Sequence, residues 1–540
     1  MRTKDLIAKR ERRERKKTRL ERNTTTKKQI TEAPSKEPFV LPADFNDKVL
    51  KELKQLPKYI SNEEILRRRD MRDVLTFTID PDDAKDFDDA LSFKILEESI
   101  YQIGIHIADV THYVHEESAI DEEAYQRGTS IYLVDRVIPM LPERLCNELC
   151  SLRPNEDKLC MSVVVELDSQ AKVIRYKVCR TAINSNFRLT YQQAQAILEG
   201  ENGNHLLNIE HSGEELSEAL QVLNKLAKQL RANRFEHGAI NFETPEVKFH
   251  LDAEGNPTEI IFHHSTDANH LIEEFMLLAN RIVAAEIGKH KTEHEKPFVY
   301  RIHDVPDPEK LVKLGNFIRQ FGFHLRTSAK RSVQNKHINS LLNSCQGTNS
   351  QSLIETLAIR SMAKAVYSTS NIGHYGLAFP YYTHFTSPIR RYPDMMVHRL
   401  LSRYLLQSKE PCRHDKEVLE EACVHCSDTE QMAQMAERDS IKEMQARWMS
   451  KHIGEEFQGV ISGVTEFGLF VQLSQTLTEG LVPIRTIEPH DYIQYDEENY
   501  CLTAARSGKT YTLSDSVRVR VVKADVEKKQ IDFVLVEQSR

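Results

Sequence analysis

The sequence predicts an α+β protein that ends in a small closed β-barrel. Three observations carry this. Apolar and polar residues alternate at strand period in "VLTFTID", "ALSFKIL", "YQIGIHIADVTHYV", "MSVVVELD" and "AKVIRYKVCRTAI", all in the first third of the chain. Long amphipathic segments then dominate the middle. From about Gly454 the pattern returns to short alternating strands with glycine turns, some five strands in about 85 residues. That spacing suits a small barrel, of which the OB fold is the common nucleic-acid-binding type.

The elements follow in order. Residues 1–38 form a Lys/Arg-rich arm, then a Thr-rich stretch, and end in "TEAPSKEP". A nucleic-acid-binding arm and a solvated linker both fit that composition, helical in part or disordered. Residues 39–75 show helical periodicity broken at Pro57, with Ser61 and Glu64 spaced as a capping box. The strands come next, with a turn at "DSQA". Helices are expected over "DANHLIEEFMLLANRIVAAEIG", "PEKLVKLGNFIRQFGF", "SLIETLAIRSMAKAVYS" and "YPDMMVHRLLSRYLLQ", and a long polar helix over about 415–450. The expected domains are the arm (1–38), a main domain (39–450) and the barrel (454–540).

The chain has 540 residues, 40% hydrophobic and 29% charged, a globular composition with ample material for a large core. No apolar run reaches the ~18 residues of a membrane helix, and the N-terminus lacks a secretory signal. Nine cysteines without such a signal fit reduced thiols in the cytoplasm. The net charge of −8 gives no global nucleic-acid signal, though local fields do that work in a channel.

"TIDPDDAKDFDD", residues 78–89, holds six aspartates. Asp80, Asp86, Asp88 and Asp89 sit where a turn can gather them. Clustered carboxylates must be neutralised, and Mg²⁺ is the usual remedy. Two such ions form a phosphodiester-cleaving arrangement. A solvated acidic loop fits the spacing too. An EF-hand does not, because Ala84 and Lys85 occupy its fifth and sixth positions. "HFTSPIRRYPDMMVHRLL" sets Arg390 and Arg391 just before a helix, where guanidinium forks suit phosphate oxygens. Tyr132 fits either a core position or a base-stacking one. Cys412, His414, Cys423 and Cys426 form a loose group that reads as accidental rather than as a zinc site. His106, Asp109 and His374 read as structural or site-supporting.

At these residues the sequence resembles the ribonuclease II / ribonuclease R family, known by its RNB catalytic domain. The matching segments run from "RRDMRDVLTFTIDPDDAKDFDDALSF" through "SIYLVDRVIPMLPERLCNELCSL", "HGAINFETPE" and "YRIHDVPDP" to "GHYGLAFPYYTHFTSPIRRYPDMMVHRLL" and "AERDS". The ribonuclease R branch is the nearer, and the barrel resembles an S1 domain. The resemblance implies an RNB domain, a mixed sheet with surrounding helices, followed by an S1-type OB barrel. It implies a processive, hydrolytic 3′-to-5′ exoribonuclease that acts on single-stranded RNA and releases nucleoside 5′-monophosphates. It places Mg²⁺, two ions with Mn²⁺ as a substitute, on Asp80, Asp86, Asp88 and Asp89, and makes Asp88 and Arg390 catalytic. Tyr132 and Phe242 would stack on the terminal bases, with Arg391 and Glu437 contacting RNA; Glu430 competes for the last role. Phe467 and Phe470 are candidates for base stacking in the S1 domain, or for barrel core. Lys509, Arg518 and Lys523 are candidates for tracking phosphates. A monomer is expected.

One departure stands out. The family carries cold-shock-type barrels before the RNB domain, and the given sequence has room only for the arm and a linker there, as a fragment or a naturally shortened form would. The alternative is therefore an RNA-binding protein that cleaves weakly or not at all. A phosphodiesterase acting on DNA or small nucleotides is a third reading.

Overall fold

The alternating segments build one mixed sheet. In chain order the first nine strands are β1 (Arg69–Asp70), β2 (Thr76–Asp80), β3 (Asp89–Glu97), β4 (Ile100–Ala108), β5 (Ile131–Tyr132), β6 (Val137–Ile138), β7 (Asp157–Asp168), β8 (Val173–Asn184) and β9 (Phe187–Thr190). Seven of them pair in the order β1-β8-β7-β4-β3-β2-β9, while β5 and β6 form a separate hairpin. The centre is antiparallel; β1 and β9 join its edges in parallel. Every residue of β7 from 158 to 167 is buried, the pattern of a strand covered on both faces. The Asp267–Gly288 helix packs on β4 and β7. The structure is a computed structural model. It describes residues 44–536, apart from 208–212, 241–245, 290–295, 327–330, 349–350, 407–415 and 498–499. The basic arm, Phe242, Cys412 and His414 lie outside the described residues.

Phe77, Ile79, Leu91, Ile103, Ile105, Ile107, Val163 and Val165 fill the sheet's core. Each such side chain contributes about 1.5–3 kcal/mol by leaving water. His106 is buried among them, its ring nitrogens bonded to Ser162 Oγ at 2.8 Å and Ser92 Oγ at 2.9 Å. Burial pushes its pKa down to about 3, so it stays neutral and structural.

Three expectations shift at their edges. The strand over "YQIGIHIADVTHYV" stops at Ala108 and a 3₁₀ turn follows over Val110–His112. Asp109 turns inward there to Arg68, 2.8 Å away. The capping box is half formed. Ser61 Oγ accepts from Glu64 N at 3.2 Å, but the Glu64 carboxylate is committed to Arg68 Nε at 2.8 Å. The helix over "SLIETLAIRSMAKAVYS" ends at Ser361, whose hydroxyl donates back to Ala358 O at 2.6 Å, and Val366–Ser368 becomes a strand.

Two small pairings follow the sheet: β10 (Glu246–Leu251) with β11 (Pro257–His263), and β12 (Tyr300–Ile302) with β13 (Val366–Ser368). The C-terminal barrel closes in the order β14 (Glu456–Thr465), β15 (Gly468–Leu473), β16 (Glu479–Pro483), β21 (Gln530–Leu535), β20 (Ser516–Asp525). A three-stranded sheet of β17 (Ile493–Asp496), β18 (Cys501–Ala504) and β19 (Thr510–Thr512) lies between β16 and β20 in sequence.

The long polar helix spans Lys416–Met449, 34 residues, or about 51 Å. Its early turns put Cys423 and Cys426 into the sheet's core, so these thiols are packing groups. Its last turns put Ala446 and Met449 into the core shared with the barrel. The Ala119–Arg127 helix ends against it at Gly128, whose φ is +69°. A Cβ at Gly128 would sit 2.1 Å from Thr429 Oγ1.

Gly128→Ala should therefore combine backbone strain with overpacking and cost about 1–3 kcal/mol. A lowered melting temperature is the expected readout. An unchanged one would mean the long helix is not held that close.

Candidate active site

β2 and β3 are antiparallel neighbours, with Thr76 opposite Ser92 and Phe77 opposite Leu91. Carried to the strand ends, that register sets Asp80 across from Asp88. Residues 81–88 form the connection, and it is tied down along its length. Arg188 of β9 donates to Pro81 O at 2.7 Å and Asp82 O at 2.8 Å. Ser151 Oγ accepts from Phe87 N at 3.0 Å and donates to Lys85 O at 2.7 Å. Phe87 anchors the loop in the core. Of the six aspartates, Asp82 and Asp83 are exposed, Asp80, Asp86 and Asp89 are half-buried, and Asp88 is buried.

The cluster is electrostatically strained. Burial, then the charges of Asp86 and Asp88, push Asp80 up to about 7. Burial and Asp80 push Asp89 up to about 7 against the pull of Arg390 and Arg391. Asp88 is raised well above the carboxylate range, by burial first, with Asp86 and Asp89 adding to it. Among the described residues the buried Asp80 Oδ2 has no hydrogen-bond partner. Among the described residues no three His, Cys, Asp or Glu converge as a ready-made ligand set. Mg²⁺ keeps several waters and needs only one or two carboxylates directly. An orphaned carboxylate oxygen among mutually repelling neighbours fits such an ion.

The Arg390 loop closes on this cluster from the far end of the main domain. Ile389 N donates to Asp88 Oδ1 at 2.9 Å, and Arg390 Nε lies 3.4 Å from Asp88 Oδ2. The loop precedes the Tyr392–Leu401 helix, all ten residues of which are buried. Arg390 sits in a turn and Arg391 follows in extended backbone, and their side chains end in different surroundings. The Arg390 side chain is 42% exposed, whereas that of Arg391 is 18% exposed and donates to Asp394 Oδ1 at 2.8 Å. Asp394 Oδ1 also takes Ser387 N at 2.7 Å. This fully buried carboxylate sets the loop's shape, and sequence reasoning missed it. In the first turn of a helix it looks like an ordinary complement to the dipole.

The β5–β6 hairpin is the third part. Thr129 Oγ1 and Ser130 N both donate to Arg390 O, at 2.9 and 3.0 Å. Tyr132 is 39% exposed, and its hydroxyl lies 3.4 Å from Asp86 Oδ2. Its backbone N donates to Glu437 Oε1 at 3.1 Å. Burial raises the Glu437 carboxyl, while the Tyr132 N–H and Arg390 oppose that rise. Glu430 is elsewhere, paired with Arg301 at 2.7 Å. So Asp80, Asp86, Asp88, Asp89, Tyr132, Arg390 and Glu437 come together, with Arg391 behind them.

In the barrel, Phe467 is 67% exposed at the β14–β15 turn. Phe470 is half-buried and alternates with core residues Leu469 and Val471, so it faces away from the barrel core. Each suggested phosphate-tracking cation has a carboxylate neighbour: Lys509 has Glu488 at 3.2 Å, Arg518 has Glu456 at 3.8 Å and Lys523 has Asp525 at 3.5 Å.

An RNB domain model matches residues 68–407, and an S1 RNA binding domain model matches residues 450–535. Ribonuclease R of Aquifex aeolicus is 40% identical over 501 residues, covering 93% of this chain and 69% of that protein. Ribonuclease R of Thermotoga maritima is 41% identical over 502 residues, covering 92% and 69%. The structure of Mycoplasma genitalium ribonuclease R in complex with ribose methylated single-stranded RNA is similar at a TM-score of 0.83 and 30% identity, over 91% of this chain and 76% of that one.

The strained carboxylates have a measurable consequence. A free Asp titrates near ~3.9, and folded Asp80 near 7. Between those values the folded state keeps a proton that the unfolded state releases, so stability is lost as pH rises from about 4 to about 7. In chelator, Asp80→Asn should melt higher than the parent at pH 8, and the gap should close by pH 4. Millimolar Mg²⁺ should raise the parent's melting temperature at pH 8 more than the variant's. Equal melting of the two at pH 8 would argue against a strained cluster.

Proposed function

The chain belongs to the ribonuclease R family of RNB-domain proteins, and from that premise we propose that it is a processive, hydrolytic 3′-to-5′ exoribonuclease. Its substrate on this reading is single-stranded RNA, and its products are nucleoside 5′-monophosphates. The observation that carries the proposal is the meeting of three distant segments: the buried aspartates, the Arg390 loop and the Tyr132 hairpin.

Asp80, Asp86, Asp88 and Asp89 would hold Mg²⁺, with Mn²⁺ as a substitute. Bound there, two divalent ions would lower the pKa of a water and stabilise the leaving oxygen. The remaining work falls to protein groups. Arg390 presents an exposed guanidinium beside Asp88, where it can hold a phosphate oxygen and stabilise charge that develops on it. Asp394 and the Ser387 amide keep that loop in register. Tyr132 offers a ring at the edge of the cluster, and stacking reads the face of a base rather than its edge, so cleavage is sequence-tolerant. Phe242 would stack from the other side. Glu437 and Arg391 would contact RNA or hold the groups that do. Phe467 and Phe470 would take up bases on the barrel. The protein would work as a monomer in the cytoplasm. The free thiols of Cys146, Cys150, Cys160, Cys179, Cys345, Cys423, Cys426 and Cys501 suit a reducing compartment. No helix among the described residues is long and apolar enough to cross a membrane.

The test is a 5′-labelled single-stranded RNA of about 30 nucleotides, incubated with Mg²⁺ and resolved on a sequencing gel. The parent should leave one short end product. Asp88→Asn should bind RNA and leave it uncut. Arg390→Ala should slow cleavage by about 10²–10³-fold. Tyr132→Ala should leave a longer remnant. RNA that stays bound and intact in both Mg²⁺ and Mn²⁺ would instead make the chain an RNA-binding protein.

A further inference from the structure

The β5–β6 hairpin has an open edge, and the long helix closes it. Ile131 pairs with Ile138 and Tyr132 with Val137, and Leu133 N donates to Arg136 O at 2.9 Å across the turn. Val134 N lies in the turn, and strand alternation turns the Tyr132 amide outward, where a sheet would add another strand. None is there. Tyr132 N donates to Glu437 Oε1 at 3.1 Å, and Val134 N donates to Ser440 Oγ at 3.0 Å. Residues 437 and 440 are three apart and share one face of the Lys416–Met449 helix. At its root the hairpin hangs from Arg390 O through Thr129 and Ser130.

We propose that Ser440 is a positioning residue for Tyr132. It fixes the hairpin to the helix and so sets where the stacking ring stands over the aspartates. The proposal rests on the exoribonuclease reading for its consequence in RNA cleavage, but not for its geometry. Glu437 is a poor probe of the same idea, because its charge also feels Arg390. Ser440 carries no charge, and its hydroxyl accepts from the hairpin at Val134 N. Because the same helix ends in the core shared with the barrel, the ring's position is referenced to the barrel's seat as well.

The test pairs Ser440→Ala with Ser440→Thr, which keeps the hydroxyl, in the full chain. Hydrogen exchange followed by mass spectrometry should show faster exchange in residues 129–140 of Ser440→Ala, with the early turns of the long helix unchanged. Ser440→Thr should restore protection. In the RNA assay, Ser440→Ala should broaden the end product toward longer remnants. KM for a short oligomer should rise about 2–10-fold, the worth of one hydrogen bond, with kcat within about twofold. Ser440→Thr should return both to the parent's values. Hairpin exchange and end products identical to the parent's would overturn the proposal. A parent protein that leaves RNA intact would overturn the exoribonuclease reading instead, and the exchange result alone would then decide whether Ser440 holds the hairpin.

Discussion

Asp88 is 5% exposed and accepts a hydrogen bond from Ile389 N, 301 residues further along the chain. Burying a carboxylate is costly unless partners surround it. Here the partners are a backbone amide and Arg390, both carried by one loop. The cost of leaving Asp88 alone therefore fixes that loop against the sheet. Once the loop is fixed, Arg390 O is placed to receive Thr129 and Ser130, and the Tyr132 hairpin follows. The site is a chain of dependencies that starts from one buried carboxyl group.

Two buried elements keep this contact in place. The sheet supplies the end of β2 and the start of β3, and the fully buried Tyr392–Leu401 helix supplies the loop. Asp394 joins them in effect, since it ties the loop to its helix from within. The long helix then meets the hairpin from the outside. The acidic connection, the Arg390 loop and the Tyr132 hairpin thus each have backbone bonded by another element, which resists small displacements better than a free loop does.

Much of this was legible in the sequence because it is local. Period-2 alternation marked the sheet strands and the barrel, while the segment 78–89 showed its carboxylates by spacing and left a solvated loop open. The Asp267–Gly288 and Lys416–Met449 helices follow their apolar patterns closely. What escaped was the bonding between distant segments. Asp394 resembled a routine helix-start residue, and Ser440 a surface serine. Thr129 and Ser130 gave no signal, since an acceptor 261 residues beyond Thr129 has no sequence period. The capping box at Ser61 misled for a related reason: Glu64 had a better partner in Arg68, and a cap is decided by tertiary competition. Phe470 was ambiguous between core and surface until the strand's register chose a face.

The order of these segments along the chain has a consequence for synthesis. The aspartates leave the ribosome first, the Arg390 loop about 300 residues later, and Glu437 and Ser440 later still. At roughly 5–20 residues per second the stretch between the aspartates and that loop takes on the order of 15–60 s to make. Throughout that interval the acidic segment lacks the amide and guanidinium that hold it, and the tyrosine lacks its helix. A nascent chain surrounded by messenger and ribosomal RNA therefore carries the parts of this site without the site itself. Assembly waits for the long helix.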